Sequence, residues 1–153
     1  ILSVMKDGAI AGYPMQNIKV SIFDGKEHPV DSKPVAFESA ARGAFKMAVK
    51  DAGPVLYEPI MKARITVPDA NMGDVIGDLN TRRGRMQGTD AERGQTTVIA
   101  DVPLAEMLRY TSQLRSITGG RGYFEMVFDR YEVVPSHVAD GVIAAAQSDE
   151  EEE

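Results

Sequence analysis

Met61-Lys62-Ala63-Arg64-Ile65-Thr66-Val67 alternates apolar and polar side chains, the period of a strand with one face buried. What surrounds this run sets the fold. Downstream, Met72, Val75, Ile76 and Leu79 recur at helical spacing. Residues 86–89 read as a short strand and 96–102, rich in β-branched residues, as another. Leu104, Met107, Leu108, Thr111 and Leu114 make a second helical stripe, with Gly119-Gly120 as its stop. Phe124, Met126 and Phe128 alternate in a last strand. The order strand, helix, strand, strand, helix, strand predicts an α+β domain of the ferredoxin-like β-α-β-β-α-β kind. Two helices then cover one face of a mostly antiparallel sheet.

Upstream the pattern is less complete. Residues 1–7 read as the end of a helix stopped at Gly8, and Tyr13-Pro14 as an extended turn. Ile18, Val20 and Ile22 alternate like a strand that Asp24-Gly25 ends. After a polar loop, Asp31 or Ser32 can cap a long helix with Pro34 in its first turn. Phe37, Ala41, Ala44, Phe45 and Ala48 would form its apolar face, Gly53-Pro54 its end, and 54–59 a linker. One strand, one long helix and a helix remnant cannot bury both faces of a sheet, so this unit is expected to be incomplete. A final helix over 136–147 has Ser136 as candidate cap and Val138, Val142 and Ile143 as apolar face.

Composition narrows the classes. Hydrophobic residues make up 43% of the 153, enough for a packed core. No run approaches the roughly 18 apolar residues of a membrane span. The first residues carry no signal-peptide pattern and no initiator Met, which suggests a chain starting inside a larger protein. There is no cysteine, hence no disulfide or thiolate chemistry. The net charge is −6, but Asp149 and the four glutamates after it supply five of those charges and leave −1 for the rest. Residues 148–153 are expected to be a disordered acidic tail. RNA binding, if present, must then come from local basic patches.

Signals for catalysis are poor. No Gly-rich loop ends in Lys-Ser/Thr, so phosphate binding of the P-loop kind is excluded. With two histidines and no cysteine a zinc site is not expected. His137 opens the last helix; His28 lies in the loop before the long helix, near Asp24 and Asp31, with no nucleophile beside it. Arg82, Arg83 and Arg85 cluster at a helix C-terminus. Two readings stay open there: charges complementing the helix dipole, or contacts to a phosphate backbone. Arg115 and Arg121, with Arg109, could join the same surface. Tyr123 and Tyr131 are strand aromatics able to stack on bases, whereas Phe124 is expected in the core.

Six segments in order carry a resemblance: Ala11-Gly12-Tyr13-Pro14, His28-Pro29-Val30-Asp31-Ser32, the run from Pro54 to Lys62, the run from Gly73 to Leu79, the run from Val102 to Met107, and the run from Gln113 to Arg121. Together they resemble the C-terminal part of bacterial translation elongation factor G, or of an elongation factor G-like paralogue. The resemblance implies that 1–57 is the second half of domain IV and 58–135 the ferredoxin-like domain V. It makes 136–147 a helix returning to domain IV. It implies a non-enzymatic chain that binds no cofactor itself, with GTP and Mg²⁺ held by upstream domains of the same cytoplasmic protein. It implies partners: the ribosome, through rRNA of both subunits, the stalk base and the sarcin–ricin loop, and the tRNA–mRNA complex at the decoding region, but no membrane. His28, Pro29, Asp31 and Ser32 would form the domain IV tip. Arg82, Arg83, Arg85, Arg115 and Arg121 would be candidate rRNA contacts. The alternatives are a ribosomal protection-type paralogue and a free-standing ferredoxin-like regulatory or ligand-binding domain.

Overall fold

The computed structural model describes residues 1–30 and 32–151. Its contacts divide the chain into two units, residues 57–134 and residues 1–56 together with the segment from Pro135 on.

The unit 57–134 holds strands β1 (Tyr57–Pro68), β2 (Arg85–Glu92), β3 (Gln95–Pro103) and β4 (Tyr123–Val133). They form one sheet in the order β2-β3-β1-β4 with every neighbouring pair antiparallel. Helix α3 (Met72–Thr81) links β1 to β2, and two short helices, α4 (Leu104–Met107) and α5 (Tyr110–Thr118), link β3 to β4. This is the expected ferredoxin-like topology. Alternation aims Ala63, Ile65 and Val67 of β1 and Val98, Ala100 and Val102 of β3 at one face, where they pack with Val75, Leu79, Met107, Tyr110 and Leu114. Ile65, fully buried here, belongs to the stretch that predicted the fold.

Several boundaries differ from the sequence reading. β1 begins at Tyr57, inside the stretch expected as linker. β2 extends to Glu92 because Arg93-Gly94, both at positive φ (52° and 80°), make the two-residue turn whose twist suits a hairpin. The second helical stripe is broken. Arg109 leaves helical geometry (φ −118°, ψ 16°), which turns Leu108 and Thr111 to solvent and buries Tyr110 and Thr118 in their place, while Met107 and Leu114 stay buried as expected. Phe128 was expected beside Phe124 and Met126 in the core but is 54% exposed. The register slips between Ile60 and Met61, so Asp129 bulges from β4, and Phe128 leans on Tyr131 with ring centroids 5.2 Å apart.

Tyr110 is fully buried, edge-on to Phe124 at 5.1 Å, and its hydroxyl finds no partner among the described residues. Burial first, then the Asp78 carboxylate, push its pKa up to about 12. Tyr110→Phe keeps the ring contacts and removes an unsatisfied polar group. Its expected effect on denaturant unfolding is neutral to stabilising by about 1 kcal/mol. A loss of that size would show that the hydroxyl is satisfied after all.

The other unit contains α1 (Leu2–Asp7), α2 (Pro34–Asp51) and α6 (Ser136–Glu151). Its small core gathers Val4, Phe45 and Val49 with Ile1, Met5, Ala9, Ile10 and Met15. Only part of the expected face of α2 is used. Phe45 and Val49 are buried and Ala41 half-buried, while Phe37, Ala44 and Ala48 are exposed. The cap of α2 is Lys33, with no side-chain capping bond. Ser32 does not cap it because its hydroxyl turns back to the His28 N–H; Asp31 lies outside the described residues. Likewise Ser136 is the first helical residue of α6, and the Pro135 carbonyl receives the N–H groups of Val138 and Ala139.

The strand expected over 18–22 is absent. Those residues have no ladder partner, and Ile22 and Phe23 are 80% and 97% exposed. Period-two alternation needs a neighbouring strand to become a strand, and the described residues of this unit contain none. α6 runs on to Glu151, past the expected end at 147. No Gly or Pro interrupts 148–151, and Glu is a strong helix former, so the expected disordered tail is helical there. Residues 152–153 lie outside the described residues. Among the described residues no helix is long and apolar enough to cross a membrane.

Candidate functional site

The loop 24–32 closes on itself at its far end. The Ser32 N–H donates to the His28 carbonyl at 3.3 Å, and the His28 N–H donates to the Ser32 hydroxyl. The Val30 N–H donates to His28 Nδ1 at 3.4 Å, so this ring nitrogen serves as the acceptor. His28, Pro29 and Val30 all face solvent. A His-Pro turn held by its own backbone presents a shape. Among the described residues no group of three histidine or acidic side chains that could hold a metal accompanies it, and the Ser32 hydroxyl beside it is engaged by the His28 backbone N–H.

The arginines after α3 are placed by its C-terminus. Arg83 adopts left-handed geometry (φ 58°), and its N–H donates to the Asn80 carbonyl at 3.3 Å. The Gly84 N–H donates to the Leu79 carbonyl at 2.8 Å. This double closure is a Schellman motif with arginine where glycine is usual. A Cβ at Gly84 would come within 2.7 Å of the Leu79 carbonyl oxygen, so that position requires glycine.

The side chains then meet carboxylates. Arg83 grips Glu58 with two bonds of 2.7 and 2.9 Å and reaches Glu106 at 3.1 Å. Glu58, and more weakly Glu106, hold its pKa above the ordinary arginine value against the effect of burial. Arg82 donates to Asp78 at 2.7 Å and to the Glu106 carbonyl at 2.6 Å, and lies 5.1 Å over the Tyr110 ring.

Arg85 pairs with Glu132 on the sheet face away from the helices. Arg130 joins Glu132, Asp129 and the buried Asp101 there, and Gln87 donates to Asp101 at 3.1 Å. Two bulges, at Gln87 and Asp129, aim these side chains at Asp101. Arg85 first, then Arg130, hold the Glu132 carboxyl below the usual range. Its contribution to stability is present above the ordinary carboxylate pKa and is lost as pH falls through the depressed folded value.

The structure therefore brings Arg82 and Arg83 together with acids that spacing did not reveal, apart from the i, i+4 pair Asp78–Arg82. Arg115 and Arg121 fall elsewhere, in the last turn of α5 and just after it, both exposed. Arg121 Nε donates to the Thr118 carbonyl at 3.1 Å.

Comparison with known proteins agrees with this architecture. The family model described as elongation factor G, domain IV, matches residues 1–53, and the one described as elongation factor G C-terminus matches residues 55–142. An elongation factor G-like protein of Thermotoga maritima is 46% identical over the full chain, which spans 22% of that protein's length. A crystal structure of a Thermus thermophilus protein superposes with a TM-score of 0.72 at 39% identity, covering 95% of this chain and 22% of that one. Two adjoining matches, the second spanning the whole unit 57–134 and the start of α6, together with the 46% identity lead to one conclusion: the chain belongs to the elongation factor G family.

Proposed function

We propose that this chain is the ribosome-binding C-terminal part of an elongation factor G-type GTPase that promotes tRNA–mRNA translocation. The observation that carries the proposal is the pair of adjoining matches. The domain IV match includes the self-closed His28 turn, and the C-terminal match includes the whole ferredoxin-like unit. On this reading the turn is the tip that enters the decoding region, and residues 57–134 bear on rRNA of the large subunit at the stalk base and sarcin–ricin loop. Contacts to rRNA phosphates come from Arg115 and Arg121. Arg82, Arg83 and Arg85 hold the fold, because their donors already face carboxylates. GTP and Mg²⁺ belong to the larger share of the cytoplasmic factor that this chain does not span. The residues here do not fit them: the sequence has no P-loop.

The test is competition. The chain should co-sediment with ribosomes and be displaced by an intact elongation factor G. Arg115→Ala/Arg121→Ala should weaken that binding and flatten its dependence on salt, by roughly one unit of slope per lost phosphate contact. Co-sedimentation that an intact factor fails to displace would contradict the proposal.

A further inference from the structure

We infer that Asp24-Gly25 is a modification site, where the aspartate closes onto the following backbone nitrogen as a cyclic imide and reopens in part as a β-linked aspartate. The sequence holds three Asp-Gly pairs, at 7–8, 24–25 and 140–141. Glycine favours this closure because no Cβ shields its nitrogen and its backbone turns freely. The structure sets one pair apart from the other two. Asp140 lies inside α6, where the Gly141 N–H is spent in the helix's own bonding and the backbone cannot turn without opening the helix. Asp7 is the last residue of α1, and Gly8 after it (φ 81°) is wedged so closely that a Cβ there would stand 2.5 Å from the Tyr13 carbonyl oxygen. Asp24 and Gly25 are exposed, and no backbone–backbone hydrogen bond holds residues 18–27 among the described residues. A Cβ at Gly25 would meet nothing within 4 Å. The reacting groups already touch. The Gly25 N–H donates to Asp24 Oδ1 at 2.8 Å, and the carboxyl carbon is one bond from that oxygen.

The step needs no reagent but water. The Gly25 nitrogen bonds to Asp24 Cγ, the Cγ–OH bond of the protonated carboxyl breaks, and the amide hydrogen leaves with that hydroxyl as water. Water then opens the imide at either carbonyl. Breaking the bond from nitrogen to Cγ restores Asp24. Breaking the bond from nitrogen to the backbone carbonyl carbon leaves Gly25 joined through Cγ and frees the α-carboxylate of Asp24. Composition and charge are unchanged, but the main chain is one carbon longer. That carbon enters the loop 24–32 at its root, ahead of the turn closed by His28 and Ser32. What the change disturbs rests on the ribosome-binding proposal: a tip that acts by position is displaced when its backbone lengthens.

The experiment ages the full chain in heavy-oxygen water and digests it with trypsin in ordinary water, followed by mass spectrometry. Cleavage after Lys19 and Lys26 releases residues 20–26, in which Asp24 is the only acid. Every opening of the imide leaves one heavy oxygen behind. This peptide should gain label, and split into two chromatographic forms of equal mass, at least about tenfold faster than the peptides holding Asp7 and Asp140, whose closure waits on local opening. Asp24→Asn should quicken the closure, since ammonia then leaves in place of water. Gly25→Ala, which the open surroundings accommodate, should slow it severalfold by setting a Cβ beside the attacking nitrogen. Label at Asp24 no faster than at Asp7 and Asp140, or a Gly25→Ala rate equal to wild type, would overturn the inference. Co-sedimentation with ribosomes separates it from the ribosome reading. If aged wild type binds ribosomes more weakly than aged Gly25→Ala, and carries the β-linked form, both stand. If fresh chain binds ribosomes and no label appears at Asp24, the inference falls and the ribosome reading stands. If label appears at Asp24 but fresh chain does not bind ribosomes, the inference stands and the ribosome reading falls.

Discussion

Replacing Arg82 and Arg83 together with alanine is expected to lower the stability of the ferredoxin-like unit by about 3 kcal/mol, more than a hundredfold in its folding equilibrium. Charge-assisted hydrogen bonds contribute about 1.5–3 kcal/mol each where they are shielded from water, and less where water competes. Arg83 makes three and Arg82 one, with another bond to a carbonyl. The partners are shielded: Glu58 and Asp78 side chains are only 12% and 14% exposed, so removing the cations strands both carboxylates. The two sites share Glu106 and are not independent, which keeps the total below a simple sum.

The single variants carry a sharper expectation. Arg83 occupies left-handed geometry that glycine adopts freely and alanine does not. Both lose the same ion pairs, so Arg83→Gly should be more stable than Arg83→Ala by about 1 kcal/mol. Urea unfolding of the set decides this. A double variant as stable as wild type would make these arginines surface charges, and alanine equal to glycine would remove the strain at position 83.

The fate of these arginines shows where sequence reading stops. Period-two alternation in β1, the β-branched run of β3 and the stripe of α3 were legible because the partner of each apolar side chain is the core itself. The ion pairs were not, because Glu58 and Glu106 come to Arg83 from 25 and 23 residues away along the chain. Tyr110 was missed because the kink at Arg109 shifts the helical phase and hands the buried position from Leu108 to Tyr110, two residues on. At 18–22 alternation was present and misleading: it marks a face fit for a sheet, not the presence of one. In the candidate site, the polar loop and its histidine were visible. The backbone closure that turns Nδ1 inward onto Val30 was not, since nothing in the residue types dictates which nitrogen accepts.

That closure underlies the second large effect. His28→Ala removes the imidazole that accepts the Val30 N–H and fills the end of the loop, but leaves the Ser32 N–H able to bond the backbone carbonyl at position 28. The turn should persist with its protruding ring gone. If the ring acts by its position in the decoding region, the loss falls on the step in which the tRNA–mRNA complex moves. On the proposed function the GTPase centre lies outside this chain, so the substitution leaves it untouched. In the intact factor carrying this sequence, translocation should slow by about tenfold or more, the equivalent of about 1.4 kcal/mol of barrier. Rapid mixing with pre-translocation ribosomes, following tRNA movement and GTP hydrolysis in the same single turnover, measures both steps at once. Slowed movement with hydrolysis close to wild type is the expected result. A parallel fall in both rates, or movement as fast as wild type, would contradict the placement of His28 at a working tip.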